Sequence, residues 1–343
     1  MRARDHGIVV GAGTPGPLNA ITDVPGVLVG HTTLTEGTAR TGVTVVRPGP
    51  GSAYDSPVYA GHHWLNGNGE MTGLPYLTDF GQLHSPIGLT NTFSVGVVRD
   101  ALVSLEIGGR GAGAWSLPVV AETWDGLLND IDAQHVRPEH VERAYHDASS
   151  GPVPEGSVGG GTGMICHGFK GGIGTASRVA GGYTVGVLVQ ANHGRRDRLT
   201  VNGRPIVMDD VPVPGGPEGA GSIIAVVATD APLLPHQCRK LAQRAGLGVA
   251  RTGGAGESSS GDGFICFATG NRGLPSNAVD AGGPGVFEVK VLADARLDPL
   301  YHAAIEATEE AIVNAMVAAG TMTGANGFTA RAIDGARLAD LVK

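Results

Sequence analysis

Three short apolar runs, Val185–Val189, Ile223–Val227 and Phe264–Ala268, limit what this chain can fold into. Each has the length of a strand and carries no period-two alternation, so each reads as a buried strand. With 41% apolar residues delivered in such runs, the chain can bury a core. Its 57 glycines and 21 prolines lie near the level that marks low complexity, but here they read as turns and close backbone approaches. A length of 343 residues allows one large domain or two.

The formal net charge is −8 and no Lys/Arg block occurs, which argues against nucleic acid or an anionic membrane as a main partner and favours a small ligand. The three cysteines, Cys166, Cys238 and Cys266, are far apart and odd in number, so neither a disulfide framework nor a zinc site is signalled. The first sixteen residues lack a cleavage-site pattern, and no stretch approaches about 18 apolar residues. A soluble cytoplasmic protein without metal or cofactor is the default expectation.

Gly11-Ala12-Gly13-Thr14-Pro15-Gly16 after Ile8-Val9-Val10 matches the GxGxxG spacing of dinucleotide sites. Pro15 and Pro17 leave no helix opening over that loop, so the context is wrong. Val27–Leu34 and Thr41–Arg47 read as a hairpin. The segments Asn66-Gly67-Asn68-Gly69-Glu70 and Leu89-Thr90-Asn91-Thr92 either wall a pocket or shape loops. Helices are expected over 94–106, 137–148, 235–245 and 300–318, the last two opened by Pro235 and by Asp298-Pro299. His135, His140 and His146 do not share one helical face, so they signal no metal site. In the glycine-rich segment 155–174, Glu155 and His167 are the side chains with chemistry to offer. A strand is expected over 286–292, and the loops 211–221 and 270–285 carry glycine and proline.

The stretch Arg251–Ala268, RTGGAGESSSGDGFICFA, joins the third helix to the third apolar run. On composition alone it is a glycine-serine surface loop. A serine hydroxyl is a weak nucleophile that needs a base, and no Gly-x-Ser-x-Gly elbow supplies one here. If the bond before Ser260 were cut, the new α-amine, with a pKa of about 8, would lie beside its own hydroxyl. Ser260 would then stand just ahead of the Phe264–Ala268 strand, and the glycines around it make a tight bend sterically feasible.

Ordered blocks along nearly the whole chain carry a resemblance: 20–27, 30–33, 66–73, 89–92, 158–175, 189–192, 228–233, 250–253, Ser260-Gly261-Asp262 and 307–311. In these the chain resembles the DmpA-type aminopeptidases, also called L-aminopeptidase/D-esterase or β-aminopeptidase relatives. The resemblance implies an α+β fold, a four-layer αββα sandwich like that of the N-terminal-nucleophile hydrolases with different connectivity. It implies a single domain cut into an α chain, 1–259, and a β chain, 260–343, in a homotetramer. Ser260 is then the nucleophile, Ser259 the residue before the cut, and a short peptide, amide or ester with a free amine the substrate.

The family's Ser-x-Glu pair is matched by Thr308-Glu309-Glu310, with threonine for serine. On a helix Thr308 and Glu310 point to nearly opposite faces, which makes Glu309 the geometric rival of Glu310. The family's oxyanion tyrosine and asparagine fall near His167 and Asp230. An ionised aspartate cannot donate, so Asn192 is the donor expected instead. Glu155 is the expected anchor for the substrate ammonium. Ser259 stands where the family has glycine or asparagine, and this motivates an alternative: an uncut, non-catalytic binding or assembly protein of the same fold.

Overall fold

The computed structural model describes residues 1–111, 113–214, 221–275 and 285–343. Ten strands form its two large sheets. In chain order they are β1 (Leu28–Leu34), β2 (Thr41–Arg47), β3 (Val58–Trp64), β4 (Gln82–Leu83) and β5 (Ile87–Asn91). There follow β6 (Val119–Thr123), β7 (Gly172–Ala180), β8 (Tyr183–Asn192), β9 (Ser222–Thr229) and β10 (Gly263–Ala268). The helices are α1 (Leu74–Phe80), α2 (Val95–Ile107), α3 (Pro138–His146), α4 (Pro235–Arg251), α5 (Asp298–Val317) and α6 (Gly335–Val342).

One sheet runs β1-β2-β5-β6 and the other β4-β3-β10-β9-β8-β7. All pairings are antiparallel except β5 with β6 and β9 with β10. The three apolar runs are thus the three central strands of the larger sheet, and their lack of alternation has a plain cause: both faces are covered. Val185, Val187, Val189, Ala225, Val227, Phe264 and Cys266 pack with Leu241 of α4 and with Ala304, Ala307 and Ala311 of α5. Their alternates, Leu188, Ile224, Val226, Ile265 and Phe267, meet Val29, Val46, Ile87, Leu89 and Ala121 of the smaller sheet. The outer face of that sheet, with Val43, Val45 and Val120, is covered by Val98 and Leu102 of α2 and Val141 of α3. Helices, sheet, sheet, helices: the fold is the α+β sandwich of four layers.

The hairpin forms as β1 and β2, in register from Leu28↔Arg47 to Leu34↔Thr41. Proline sits in the first turn of both α4 and α5, as the sequence requires, and α4 runs on to Arg251, six residues past its expected end. Residues 286–292 are not a strand: the segment is irregular, and Val286 is 87% exposed. An apolar run that no neighbouring strand pairs does not make a sheet. Parts of the two expected loops, 215–220 and 276–284, lie outside the described residues. Where GxGxxG suggested a phosphate loop, the anion is the protein's own: Ala12 and Gly13 N–H donate to the Glu306 carboxylate at 3.1 and 2.8 Å. Among the described residues, no helix is long and apolar enough to cross a membrane.

Candidate active site

The stretch before β10 is held by the turn that follows β3. β3 and β10 pair with Trp64 opposite Gly263, so the residues beyond both strand ends must pass close to one another. Leu65 N–H donates to the Asp262 carbonyl at 3.0 Å, and Asn68 N–H to the Ser260 carbonyl at 3.2 Å. A Cβ on Gly261 would stand 2.5 Å from Asn68 O and from Gly69 Cα, so this crossing requires glycine. Because the backbones touch, two short amide side chains reach the serine loop. Asn66 Nδ2 donates to the Gly256 carbonyl at 2.9 Å and to Ser260 Oγ at 3.1 Å, and Asn68 Nδ2 donates to the Ser259 carbonyl at 2.7 Å.

Ser260 is 3% exposed. Its hydroxyl donates to Asp262 Oδ2 at 3.0 Å, and its N–H donates to the Glu257 carbonyl at 2.8 Å. Asp262 is fixed on its other oxygen by Ile223 N–H at 3.2 Å, while Ser222 Oγ accepts from Gly261 N–H at 2.8 Å. Burial pushes the Asp262 carboxyl up to about 6 against the lowering effect of the Ser260 hydroxyl and Ile223 amide; the nearby Glu257 charge also raises it.

Beside the loop opens a cleft of about 530 Å³, whose walls include Ser259, Asn68, Glu70, Thr92, Glu122 and Ser222. Glu122, at the penultimate position of β6, is 3% exposed; it accepts from the Thr92 hydroxyl and from Glu70 N–H at 3.0 Å. Burial raises its pKa, partly opposed by those hydrogen bonds. Asn68, Gly69 and Thr92 therefore line a pocket, while Asn66 holds the serine loop.

Comparison with known proteins decides the family. The profile of Peptidase family S58 matches residues 19–330. The chain belongs to peptidase family S58. It is 48% identical over 370 residues to the β-peptidyl aminopeptidase BapA of Sphingosinicella microcystinivorans, covering 100% of this chain and 92% of that protein. A β-aminopeptidase from a Burkholderia species superposes with a TM-score of 0.94 at 55% identity, covering 100% of this chain and 98% of the other. The L-aminopeptidase D-Ala-esterase/amidase of Ochrobactrum anthropi, described as a prototype of the serine aminopeptidases and a variant of the Ntn hydrolase fold, gives 0.91 at 43% identity. That superposition covers 99% of this chain and 98% of the other. The protein is accordingly a hydrolase of the aminopeptidase kind.

Within this S58 chain the expected site residues separate into two groups. Ser259, Ser260 and Asn192 lie at the end of the larger sheet where β9 begins and β10 begins. Asn192 pairs in register with Ser222, but its side chain is committed: Oδ1 accepts from Ile165 N–H at 2.8 Å and Nδ2 donates to the Trp124 carbonyl at 2.9 Å. His167 lies behind the loop, fully buried, with Nδ1 3.0 Å from the Arg195 carbonyl and its ring edge-on to His193. Burial lowers its pKa to about 4. Cys166, His167 and His193 bring their donor atoms within 4.8 Å of one another, a cluster the sequence hid because β7 and β8 intervene.

The others lie elsewhere. Asp230 follows the far end of β9, six residues beyond the level of Gly263, or about 20 Å along the strand; it accepts from Thr184 N–H at 2.7 Å. Glu155 is ion-paired with Arg2 at 2.6 Å, so its charge is already answered, and it is not among the residues lining the cleft beside the serine loop. Burial pushes its pKa up to about 7 despite Arg2. On α5 the side chains of Thr308, Glu309 and Glu310 are fully buried, and none of their hydrogen bonds among the described residues reaches Ser260. Thr308 Oγ1 donates to the Ala304 carbonyl one turn back, at 2.7 Å. Glu309 accepts from Asn202 N–H at 2.8 Å and pairs with Arg251, and burial raises its pKa against those partners.

Glu310 takes a two-pronged contact from Arg4 at 2.6 and 2.9 Å and a third from Arg178 at 2.6 Å. Burial alone would raise the Glu310 carboxyl, yet the Arg4 hydrogen bonds and the Arg178 charge hold it below its ordinary value. Residues two apart on a helix do diverge, and here each finds its own partners.

The sequence left Asn66 and Asn68 open between a pocket wall and a loop, and it gave no reading of Glu122. For Glu122 the available signal was a lone carboxylate in the otherwise uncharged β6 run, Val119-Val120-Ala121-Glu122-Thr123.

Proposed function

We propose that the chain cuts itself between Ser259 and Ser260, and that Ser260, with its freed α-amine as base, is the nucleophile of the aminopeptidase reaction. The observation that carries this reading is the peptide group joining the two serines. Its carbonyl oxygen accepts from Asn68 Nδ2 at 2.7 Å while the buried Ser260 hydroxyl is already turned toward a carboxylate. A donor placed on a carbonyl oxygen stabilises the negative charge that develops there under attack. After the cut, the α chain would end at Ser259, and Ser260 would open the β chain three residues before Gly263, the first residue of a central strand flanked by β3 and β9.

The substrate is a short peptide, amide or ester with a free N-terminal amine. The carboxylates of Glu70 and Glu122 on the cleft wall, rather than Glu155, suit its ammonium. The names of the relatives extend the proposed class to β-amino acids. An acyl-enzyme forms on Ser260 Oγ and is released to water. The homotetramer implied by the resemblance belongs to the same proposal.

The test is hydrolysis of α- and β-aminoacyl p-nitroanilides. Wild type should turn over free-amine substrates, Ser260→Ala should not, and N-acetylated substrates should be refused. Turnover by Ser260→Ala at the wild-type rate would overturn the assignment of the nucleophile.

A further inference from the structure

We propose that Asp262 is the general base of the self-cleavage step, acting on Ser260 Oγ only while the chain is intact and giving up that task to the α-amine once it exists. This rests on the reading above that the chain cuts before Ser260.

The reason lies in a difficulty particular to such a precursor. In the mature enzyme the amine of Ser260 is the base, but before the cut that nitrogen belongs to a peptide bond and has no basicity to offer. A serine hydroxyl still needs a partner to take its proton. Of the groups touching Ser260 Oγ, the Asn66 amide is a donor, whereas Asp262 Oδ2 accepts the hydroxyl proton at 3.0 Å. That distance lies in the range required of a general base. The placement follows from the chain. Ser260 and Asp262 are two residues apart in the run entering β10, and the start of β9 pins the second carboxylate oxygen through Ile223 N–H at 3.2 Å.

The step balances without any outside redox partner. Oγ attacks the Ser259 carbonyl carbon as its proton passes to Asp262. The carbonyl electron pair moves onto Ser259 O, where Asn68 Nδ2 donates. Collapse of the tetrahedral intermediate breaks the C–N bond, and the leaving nitrogen takes the proton back from Asp262. An ester joins Ser259 to Ser260 Oγ; water then cleaves it, leaving a Ser259 carboxylate and a free Ser260 amine and hydroxyl. Asp262 returns to its starting state.

The groups facing Asp262 suit the role. The turn before it brings Glu257, whose charge favours the protonated form. The 66–68 turn and the start of β9 bring uncharged Asn66, Asn68 and Ser222. Burial places the Asp262 carboxyl at about 6, so it is ionised yet basic near neutrality.

The experiment follows conversion of freshly translated full-length chain, by denaturing gel and intact mass, from pH 5 to 8. Wild-type conversion should rise with pH through about 6 and then level. Asp262→Asn should convert on the order of 10²–10⁴-fold more slowly, and Asp262→Glu, which restores a carboxylate, should recover part of the rate and the pH rise. Circular dichroism melting of both variants shows that they are folded; if Asp262→Asn is not, Asp262→Glu against wild type carries the comparison through a shifted pH midpoint. Wild-type rates in folded Asp262→Asn, or a pH profile identical in wild type and Asp262→Glu, overturn the proposal. If Asp262→Asn cuts normally while Ser260→Ala does not, only the role of Asp262 fails. If Ser260→Ala also cuts, the self-cleavage reading fails with it.

Discussion

At the scale of single residues, the site rests on short polar side chains brought together by a backbone crossing. Asn68 is the clearest case, since its amide donates to the Ser259 carbonyl at 2.7 Å. Replacing it by alanine should slow self-cleavage by about 10²–10³-fold, the usual loss for one oxyanion donor, measured as precursor half-life. Ser260 was singled out in the sequence by the family resemblance, since on composition alone its stretch reads as a glycine-serine surface loop. Asn68 and Glu122 were not, because their relevance comes from contacts spanning 191 residues in one case and 52 in another, from Asn68 to Ser259 and from Glu122 to Glu70. Conversely, Thr308-Glu309-Glu310 had a motif's appearance, but its carboxylates answer arginines. Glu310→Gln would leave Arg178, 1% exposed, with Glu306 as its remaining charge partner, and breaking a buried pair costs up to about 3–5 kcal/mol. Its effect should therefore appear as a lower denaturation midpoint. Because the folded Glu310 pKa is depressed, its stabilising contribution is complete above the ordinary carboxylate range and is lost as pH falls through the depressed value. Wild type and Glu310→Gln should accordingly converge in stability at acid pH.

At the scale of elements, the strands and helices were largely readable. Continuous apolar runs gave the central strands, and prolines in first turns gave the starts of α4 and α5. The failures have physical causes. Residues 286–292 are apolar enough for a strand but pair with no strand among the described residues, and helix α5 is buried around most of its circumference, so no stripe of residues could say which face meets the site. Close contact of α4 and α5 depends on Gly248, where a Cβ would lie 2.5 Å from Thr308 Cβ and 2.7 Å from the Ile305 carbonyl. Gly248→Ala should push the two helices apart and lower stability by about 1–3 kcal/mol, the typical cost of overpacking, read from urea denaturation. Thr308 is thus a packing residue of the helix pair, and the same experiment tests that role.

At the scale of the whole molecule, the four layers place the serine loop at one end of a sheet whose central strand begins just after it. β10 pairs with β3 on one side and β9 on the other, and both its faces are covered. Cutting before Ser260 would therefore release no part of the core. The two chains should co-elute in gel filtration without denaturant and separate only when unfolded. Layer order was not readable from strand patterns alone; it came with the family resemblance, because which sheet faces which is decided by pairings that local sequence does not encode. The central claim, that this S58 peptidase activates itself by cutting before Ser260, is tested most directly by the intact mass of the purified wild-type chain under denaturing conditions. Self-cleavage gives two masses, corresponding to residues 1–259 and 260–343, and one uncut mass for Ser260→Ala; a single uncut wild-type mass in a sample that hydrolyses aminoacyl substrates would rule it out.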